Sequence, residues 1–258
     1  MKILVAYKWA PNPADASVNT DGSLDWSRAK PAVSEYDPVA IQVGRQVADA
    51  VGAELVGITV GGPDSDASLA RKAALSRGLD RLTIVTGPDL GGLEATRTAA
   101  LLAAAVRAEG DVRLVLAGDS SVDVGAKLVP SVLAGQLGWP VLSDVMSVSV
   151  DGPTVNVEQE FAGGVRTLRI DGPAVLALTS SAIQAPVPGM RDILAAAKKP
   201  VLSVAPADLD APASASEVTL IGRSRPRLAA RKGVVIDGSD AEAAAAQLVA
   251  ALRGAGIL

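Results

Sequence analysis

The sequence contains neither cysteine nor histidine. The absence of cysteine excludes disulfides, thiol catalysis and cysteine-ligated zinc or iron–sulfur clusters. The absence of histidine removes the commonest general base and the usual side-chain ligand of transition metals. No metal site is therefore predicted. If the protein takes part in an enzymatic reaction, we expect a bound cofactor or another subunit to supply the chemistry.

The sequence also has few aromatic residues, no excess of positive charge and no long apolar run. Aromatic residues make up 2 % of the 258 residues and hydrophobic residues 49 %, so Ala, Val and Leu must build the core. Such a core is typical of helices packed closely on a parallel sheet. The formal net charge of −4 does not suit a general nucleic-acid binder, which shows a basic stripe. No run approaches the roughly 18 to 20 apolar residues of a membrane span, and the start lacks the pattern of a secretion signal. We therefore expect a soluble cytoplasmic protein without a nucleic-acid partner or membrane insertion.

The stretch 114–140 carries the clearest sign of a ligand site. The apolar run Leu114–Ala117 predicts a buried strand, and Gly118 opens a loop of small polar residues. A helical period follows, whose apolar face is predicted to include Leu128, Val132, Leu133 and Leu137. A strand, a small loop and a helix N-terminus together direct backbone N–H groups toward an anion. In an open α/β sheet such ligands lie at the carboxyl ends of strands, so we predict a nucleotide pocket here.

Predicted strands and helices alternate along the first half of the chain. Strands begin near residues 3, 54, 81 and 114. The predicted helices between them run from about Pro38 to about Val51, over 66–77 and over 93–109. This alternation predicts a parallel sheet with right-handed crossovers. Three further strand-like segments, joined by glycine-containing turns, predict an antiparallel extension of that sheet, namely 145–150, 154–161 and 165–170. A buried strand over 174–178 and a short helix over 190–198 follow.

The C-terminal part differs in composition from the rest. Residues 205–216 are rich in Ala, Pro, Ser and Asp, and residues 240–252 predict an Ala/Leu-rich helix. Segments this short rarely form an independent core. We therefore divide the chain into an α/β domain, 1–204, and a linker with a C-terminal arm, 205–258, that packs on another chain.

Several segments resemble the beta subunit of electron-transfer flavoproteins, and the similarity covers almost the whole chain. No single motif is strong, but the landmarks occur in the same order with compatible spacing. They are Val5–Asn12, Ser34–Asp37, the ungapped stretch Gly118–Pro140, Val157–Leu168, Gly172–Val175, Ile193–Leu194, Lys198–Pro200, Arg227, Gly233 and Leu252–Gly256. The resemblance implies a Rossmann-like (adenine-nucleotide-hydrolase-like) α/β fold with a mostly parallel sheet, an antiparallel extension and an extended C-terminal arm.

The resemblance also implies the role and the partners of the chain. In this family a heterodimer carries electrons from a flavin-dependent dehydrogenase to a quinone reductase or similar acceptor. The redox-active FAD lies mainly in the alpha subunit, so the beta chain is an electron-carrier subunit and not an enzyme in its own right. The family's beta pocket holds AMP, or a second FAD in the bifurcating branch. For this chain the sequence leaves AMP, a second FAD and an empty pocket open, with AMP preferred over the second FAD.

The family's nucleotide pocket can be carried over residue by residue. Physically, Ala6 and Val60 end neighbouring strands and would border an adenine, and the loop after Gly118 offers N–H groups and hydroxyls. The chain departs from the family's Gln-Thr-Gly at the helix start, where Leu128, Val129 and Pro130 remove donors; Lys127 would offset part of this loss. The alternative is a packed strand–loop–helix crossover without a ligand. The predicted cofactor-binding residues are Ala6, Ser34, Glu35, Tyr36, Asp37, Val60, Gly118, Asp119, Ser120, Ser121, Val122, Asp123, Val124, Gly125, Ala126, Lys127, Leu128 and Val129.

Three residues are predicted to contact partner proteins. Met190 occupies the position of a family leucine that inserts into partner dehydrogenases, and Ile193 is assigned to the same surface. Glu160 matches a carboxylate near the family's flavin domain. The alternatives are that Met190 packs against the core and that Glu160 faces solvent on its strand.

Two other classes of function are alternatives for this sequence. A homodimeric nucleotide-binding stress or signalling module of the same superfamily typically closes its phosphate loop with Gly-Ser or Gly-Thr, which the loop after Gly118 lacks. An adenylating enzyme would need Ser-Gly-Gly-x-Asp-Ser after the first strand, where this chain has Lys8-Trp-Ala-Pro-Asn12.

Overall fold

The computed structural model describes residues 1–152, 154–212, 221, 222, 224, 226 and 230–258. These residues form two compact units, 1–223 and 224–258. Residues 213–220, 223, 225 and 227–229 lie outside the described residues; they include part of the predicted linker and the family landmark Arg227.

The first unit contains the strands and five of the helices found in the described residues. The strands are β1 (Lys2–Ala6), β2 (Trp9–Pro11), β3 (Ser17–Val18), β4 (Leu24–Asp25), β5 (Pro31–Val33), β6 (Glu54–Gly61), β7 (Arg81–Thr86), β8 (Val112–Gly118), β9 (Val141–Asp151), β10 (Thr154–Phe161), β11 (Gly164–Ile170), β12 (Ala174–Leu178) and β13 (Val201–Val204). The helices are α1 (Asp37–Val51), α2 (Ser68–Leu75), α3 (Ala95–Glu109), α4 (Val129–Leu137) and α5 (Met190–Ala196).

Nine of these strands form one sheet in the order β11-β10-β9-β12-β8-β1-β6-β7-β13. Every neighbouring pair from β13 to β9 is parallel, and β10 and β11 add an antiparallel extension. Within the parallel part, β7-β6-β1-β8-β12 has the 3-2-1-4-5 order of a doubly wound fold. The predicted α/β class, with a mostly parallel Rossmann-like sheet and an antiparallel extension, is confirmed.

Helices cover both faces of the sheet because alternate strand residues point to opposite sides. On one face Ile3 and Val5 of β1 belong to the same buried cluster as Val43 of α1. On the other face Leu4 belongs to a second buried cluster, with Leu133 of α4 and residues of α3. The strand runs are accordingly apolar almost throughout, as in parallel sheets that are covered on both sides.

Local signals placed several helix boundaries correctly. Pro38 is the second residue of α1, and Gly52 ends that helix in the left-handed conformation, with φ of 64°. The predicted helix 66–77 is shorter, because residues Pro63–Asp66 form a 3₁₀ turn before α2 begins at Ser68. The predicted helix 93–109 begins two residues later, where the Glu94 side chain accepts hydrogen bonds from the backbone N–H groups of residues 96 and 97.

Two features of the sheet differ from the sequence prediction. β9 begins at Val141 rather than Val145, because its first residues pair in parallel with β12 before the strand turns to pair with β10. β13 was not predicted; it pairs in parallel with β7 at the edge of the sheet. Its residues are exposed or half-buried, so the segment lacks the apolar pattern that marks the central strands.

An ion-pair network lies where the amino ends of β6 and β7 meet the end of α3. Arg81 contacts Glu109 at 2.6 Å and Glu54 at 2.9 Å, and Lys2 contacts Glu109 at 3.1 Å. Hydrogen bonds from Arg81, against the effect of burial, hold the pKa of Glu109 at about 2. The side chain of Glu109 is 5 % exposed, so this network fixes the end of the sheet opposite the candidate site.

The second unit contains the helix α6 (Ala241–Gly254), which confirms the predicted C-terminal helix. Asp240 begins it, since its side chain accepts hydrogen bonds from the N–H groups of Glu242 and Ala243 at 3.0 and 3.2 Å. None of its residues is buried, and Leu248 is 50 % exposed. Among the described residues, no helix combines the length and apolarity needed to cross a membrane.

Candidate nucleotide site and docking surface

The predicted site lies at the topological switch point of the sheet. β1 and β8 are neighbours, but the chain leaves β1 toward α1 on one face and leaves β8 toward α4 on the other. Connections that diverge in this way leave a crevice outside the carboxyl ends of the two strands, where open α/β sheets bind ligands. The loop 119–128, between β8 and α4, lies at this place, as the sequence predicted.

A buried carboxyl joins the ends of β1 and β8. Asp37, the first residue of α1, is 4 % exposed, and its Oδ2 accepts a hydrogen bond of 2.7 Å from the backbone N–H of Lys8. The backbone N–H of Gly118 donates to the same carboxyl. Burial raises the pKa of Asp37 to about 7, although both hydrogen bonds lower it. The carboxyl therefore holds the two strand ends together while it is close to half-protonated at neutral pH.

Gly118 has to be a glycine because the backbone of α1 approaches it closely. A Cβ atom at this position would lie 2.8 Å from Asp37 Oδ1 and 2.8 Å from the carbonyl carbon of Tyr36. A Cβ atom essentially never lies this close to a non-bonded heavy atom, so a larger residue would push α1 away from β8. The sequence identified Gly118 as the start of the loop but gave no sign of this contact.

Two contacts connect the loop 119–128 to the segment between β1 and α1. Lys8 Nζ lies 2.8 and 2.7 Å from the two carboxylate oxygens of Asp123, and the backbone N–H of Val122 donates to Ser34 Oγ at 3.2 Å. Burial acts to raise the pKa of Asp123, but the hydrogen bond and charge of Lys8 outweigh it and hold that pKa below its ordinary value. The loop is thus fixed across the crevice by one ion pair and one hydrogen bond.

A second ion pair closes the loop on itself. Lys127 Nζ lies 2.7 Å from Asp119 Oδ2, and Lys127 adopts the left-handed conformation with φ of 53°. The hydrogen bond and charge of Asp119 raise the pKa of Lys127. The backbone N–H of Asp119 donates to the Leu178 carbonyl at 3.0 Å, which ties the start of the loop to the end of β12. Both lysines of the site are therefore paired with aspartates.

The N-terminus of α4 is available for an anion. Leu128 precedes the helix and makes no side-chain capping hydrogen bond, and Pro130 is its second residue. The first N–H groups of a helix lack partners within the helix and carry partial positive charge. The sequence prediction that Leu128 lies on the apolar face of the helix is wrong: it stands outside α4 and is 53 % exposed. Val132 and Leu133 do pack against the core.

The remaining predicted residues lie around the crevice at different depths. Ala6 ends β1 and is 7 % exposed, and Val60 is the last residue but one of β6, the strand beside it. Glu35 and Tyr36 line a cavity of about 310 Å³ together with Ser180, which follows β12. The loop residues Val124, Gly125 and Ala126 are exposed, whereas Ser120 and Ser121 are half-buried.

Sequence reasoning missed Lys8, Leu178 and Ser180 as parts of this site. Lys8 follows β1 directly and Ser180 follows β12, so each stands at the same edge of the sheet as the predicted loop. The order of the strands, which the sequence did not give, was the missing information. The sequence did contain one signal for these residues, namely an acidic residue and a lysine that follow neighbouring strands.

The predicted docking residues are exposed. Met190 is the first residue of α5 and is 72 % exposed, so it does not pack against the core, and Ile193 is 41 % exposed. Val187 and Leu194 add further exposed apolar area nearby in the sequence, at 91 % and 65 %. We call these four residues the α5 apolar surface.

Glu160 lies on another part of the sheet, the antiparallel extension. It is exposed on β10, beside Phe161, which is 48 % exposed. The Arg166 guanidinium carbon lies 5.7 Å from the centre of the Phe161 ring. β10 is the second strand from this end of the sheet, and its exposed charged residue, with an aromatic neighbour, is available for contact with a partner.

The doubly wound sheet defines the class as a Rossmann-like α/β protein, and the crevice between β1 and β8 is its candidate ligand site. The family model of the electron transfer flavoprotein domain matches residues 23–209, which is more than half of the chain. The chain therefore belongs to the electron transfer flavoprotein family, and the match is consistent with a beta-like subunit. Proteins with this domain are electron carriers rather than catalytic enzymes. The match favours this interpretation over the signalling module and the adenylating enzyme.

Proposed function

We propose that the chain is the beta subunit of an electron-transfer flavoprotein-like heterodimer. The observation that carries the proposal is the family match over residues 23–209, on a chain without histidine or cysteine. Such a chain fits a role in which a flavin performs the redox chemistry and the protein positions it. The FAD is held mainly by an alpha subunit, and electrons pass from a flavin-dependent dehydrogenase to a quinone reductase or similar acceptor.

We also propose that AMP binds in the crevice at the carboxyl ends of β1 and β8. Three observations support the fit: the close approach of backbone at Gly118, the uncapped N-terminus of α4 and the buried, unpaired Oδ1 of Asp119. The N–H groups at the start of α4 replace the hydroxyl and amide donors that Leu128 and Val129 lack. AMP supplies no redox chemistry there; it fills the crevice and stabilises the fold by mass action.

The charges around the crevice favour AMP over a second FAD. Lys8 and Lys127 are each neutralised by an aspartate, so a ligand phosphate must be held chiefly by backbone N–H groups. The pyrophosphate of FAD brings a second phosphate into a site where Asp119 and Asp123 are already negative. A ligand with one phosphate meets less repulsion.

In this proposal, the exposed surfaces of the chain contact its partner proteins. The α5 apolar surface contacts the dehydrogenase, with Met190 and Ile193 as its centre, because an exposed group of adaptable apolar side chains suits docking. Glu160 contacts the flavin-bearing side of the complex. The C-terminal arm, 205–258, packs on the alpha subunit, since α6 buries none of its residues within the described part of the chain.

Co-expression with a candidate alpha chain tests the proposal. We expect a stable yellow complex of one alpha and one beta chain, and mass analysis of the nucleotides released on denaturation should find one FAD and one AMP. Two FAD per complex would contradict the AMP assignment and indicate a bifurcating type. One FAD alone would mean that this crevice stays empty. If no flavin-containing 1:1 complex forms, the proposal itself fails.

The docking surface has a separate test. Met190→Ala should lower the rate at which the dehydrogenase reduces the complex, with an increase in the apparent KM for the complex and an unchanged flavin content. Val18→Ala is the control, because Val18 is also an exposed apolar residue, 50 % exposed, and lies on β3 rather than on α5. Equal effects of the two variants would contradict a specific role for Met190.

A further inference from the structure

Asp119 has one carboxylate oxygen without a partner in the described structure. The residue is 8 % exposed, its Oδ2 pairs with Lys127 at 2.7 Å, and its Oδ1 is buried and makes no hydrogen bond. A buried carboxylate oxygen normally accepts at least one hydrogen bond, because leaving it unpaired is unfavourable. None of the described residues donates to Oδ1, so a donor from outside them would remove this unfavourable state.

The position of this oxygen is fixed by its surroundings. The backbone N–H of Asp119 is held by the Leu178 carbonyl at 3.0 Å, and Lys127 holds Oδ2. The other carboxylates of the crevice differ: Asp123 has both oxygens bonded to Lys8, and Asp37 accepts from two backbone N–H groups. Of these three aspartates, Asp119 is thus the one with a buried oxygen that none of the described residues hydrogen-bonds.

We infer that Asp119 Oδ1 accepts a hydrogen bond from a ribose hydroxyl of the bound nucleotide, and that this residue makes the site specific for ribonucleotides. The inference rests on the proposed function, which places AMP in the crevice. A carboxylate repels a phosphate but accepts strongly from a hydroxyl, so it marks the place of a neutral donor. Rossmann-type sites use the same chemistry when an acidic residue binds ribose.

A ribose hydroxyl is a better candidate than the adenine amino group for the donor to Asp119 Oδ1, because Asp119 is connected to the start of α4. Asp119 is tied to Lys127, which lies two residues before the first residue of α4, where the phosphate is placed. In AMP the ribose follows the phosphate directly, whereas the amino group is at the far end of the base. An acceptor close to the phosphate position therefore meets the 2′ or 3′ hydroxyl first.

The test compares AMP with 2′-deoxy-AMP and 3′-deoxy-AMP by calorimetry on the nucleotide-depleted complex with its alpha partner. A hydrogen bond from a hydroxyl to a charged acceptor corresponds to about 10- to 100-fold in Kd, so at least one deoxy analogue should bind that much more weakly. In Asp119→Ala the same ratio should fall below about threefold, because the acceptor is absent. Asp119→Asn, which keeps the shape and a weaker acceptor, should give an intermediate ratio.

Asp80→Asn is the control variant. Asp80 lies at the amino end of the sheet and already accepts hydrogen bonds from Arg45 at 3.0 Å and from the Leu55 N–H at 2.8 Å. Its variant should discriminate between AMP and the deoxy analogues as the parent does.

Three outcomes would overturn the inference. Equal binding of AMP and both deoxy analogues by the parent would mean that water or another group satisfies Oδ1. Discrimination that persists in Asp119→Ala would place the ribose acceptor elsewhere. Either result leaves the proposed AMP site standing, whereas failure of the flavin-loaded complex to bind AMP would overturn the AMP assignment and this inference together.

Discussion

Stability between pH 5 and 7.5 should depend mainly on Asp37. Burial raises the pKa of this carboxyl from 3.8 to about 7, so the folded chain holds the proton more tightly than the unfolded chain does. The stabilisation from the protonated carboxyl is fully present below pH 3.8 and is lost as the pH rises toward 7. No histidine is present to titrate in this range. We therefore expect the folded chain to become less stable as the pH is raised.

The magnitude follows from the shift of about three pKa units. The whole shift corresponds to about 4 kcal/mol, and about 2.5 kcal/mol of it falls between pH 5 and 7.5. The pKa values of Asp123 and Glu109 are lowered, so their contributions are present throughout this window and change only at lower pH. Urea denaturation of the full chain at pH 5, 6, 7 and 7.5 measures the trend.

Asp37→Asn isolates the contribution of this carboxyl. Asparagine offers one oxygen to the N–H groups of Lys8 and Gly118 and sets its own N–H₂ group against one of them. At pH 5 the variant should be less stable than the parent by about 1–3 kcal/mol, and the gap should narrow toward pH 7.5. The exposed Asp89→Asn variant should follow the parent. A parent whose stability stays level or rises with pH, relative to Asp37→Asn, would refute the reasoning.

Two other predictions concern the packing of the sheet ends. Gly118→Ala should lower the free energy of unfolding by about 1–3 kcal/mol in urea, since its Cβ meets backbone at 2.8 Å; Gly91→Ala, whose Cβ meets nothing within 4 Å, should stay within about 0.5 kcal/mol of the parent. Glu109→Gln should lower the free energy of unfolding by about 3 kcal/mol at pH 7, because the pKa of Glu109 is held at about 2. That loss should shrink as the pH falls from 4.5 toward 2, and a constant loss over this range would contradict it.

The sequence predicted those parts of the fold that depend on local signals. Pro38 marks the start of α1, because proline fits the first turn of a helix. Gly52 marks its end, because glycine adopts the left-handed conformation after the last turn. The central strands were recognisable from apolar runs, since both faces of a parallel sheet are covered. β13 was missed because an edge strand is half-exposed and its short run carries no such pattern.

The contacts that shape the candidate site were not predictable in this way. Lys8 and Asp123 are 115 positions apart, and their ion pair exists because β1 and β8 happen to be neighbours in the sheet. The burial of Asp37 likewise depends on the end of β8 meeting the start of α1. A single sequence shows which residue types stand at strand ends, but the strand order decides which of them meet.

The structure suggests why a site so rich in carboxylates suits an anionic ligand. Asp123 is paired with Lys8, and Asp119 is paired with Lys127. Both ion pairs hold the loop 119–128 in place rather than contact a phosphate. Asp37 is kept partly neutral by burial, so it adds less negative charge to the crevice than an exposed aspartate would. The side chains thus order the backbone, and in the proposed complex the backbone N–H groups at the start of α4 bind the phosphate. If AMP binds as proposed, the residues that matter most for it are those that fix the loop. Leu128 and Val129 depart from the family pattern, but the backbone N–H groups supply the donors that these two side chains lack.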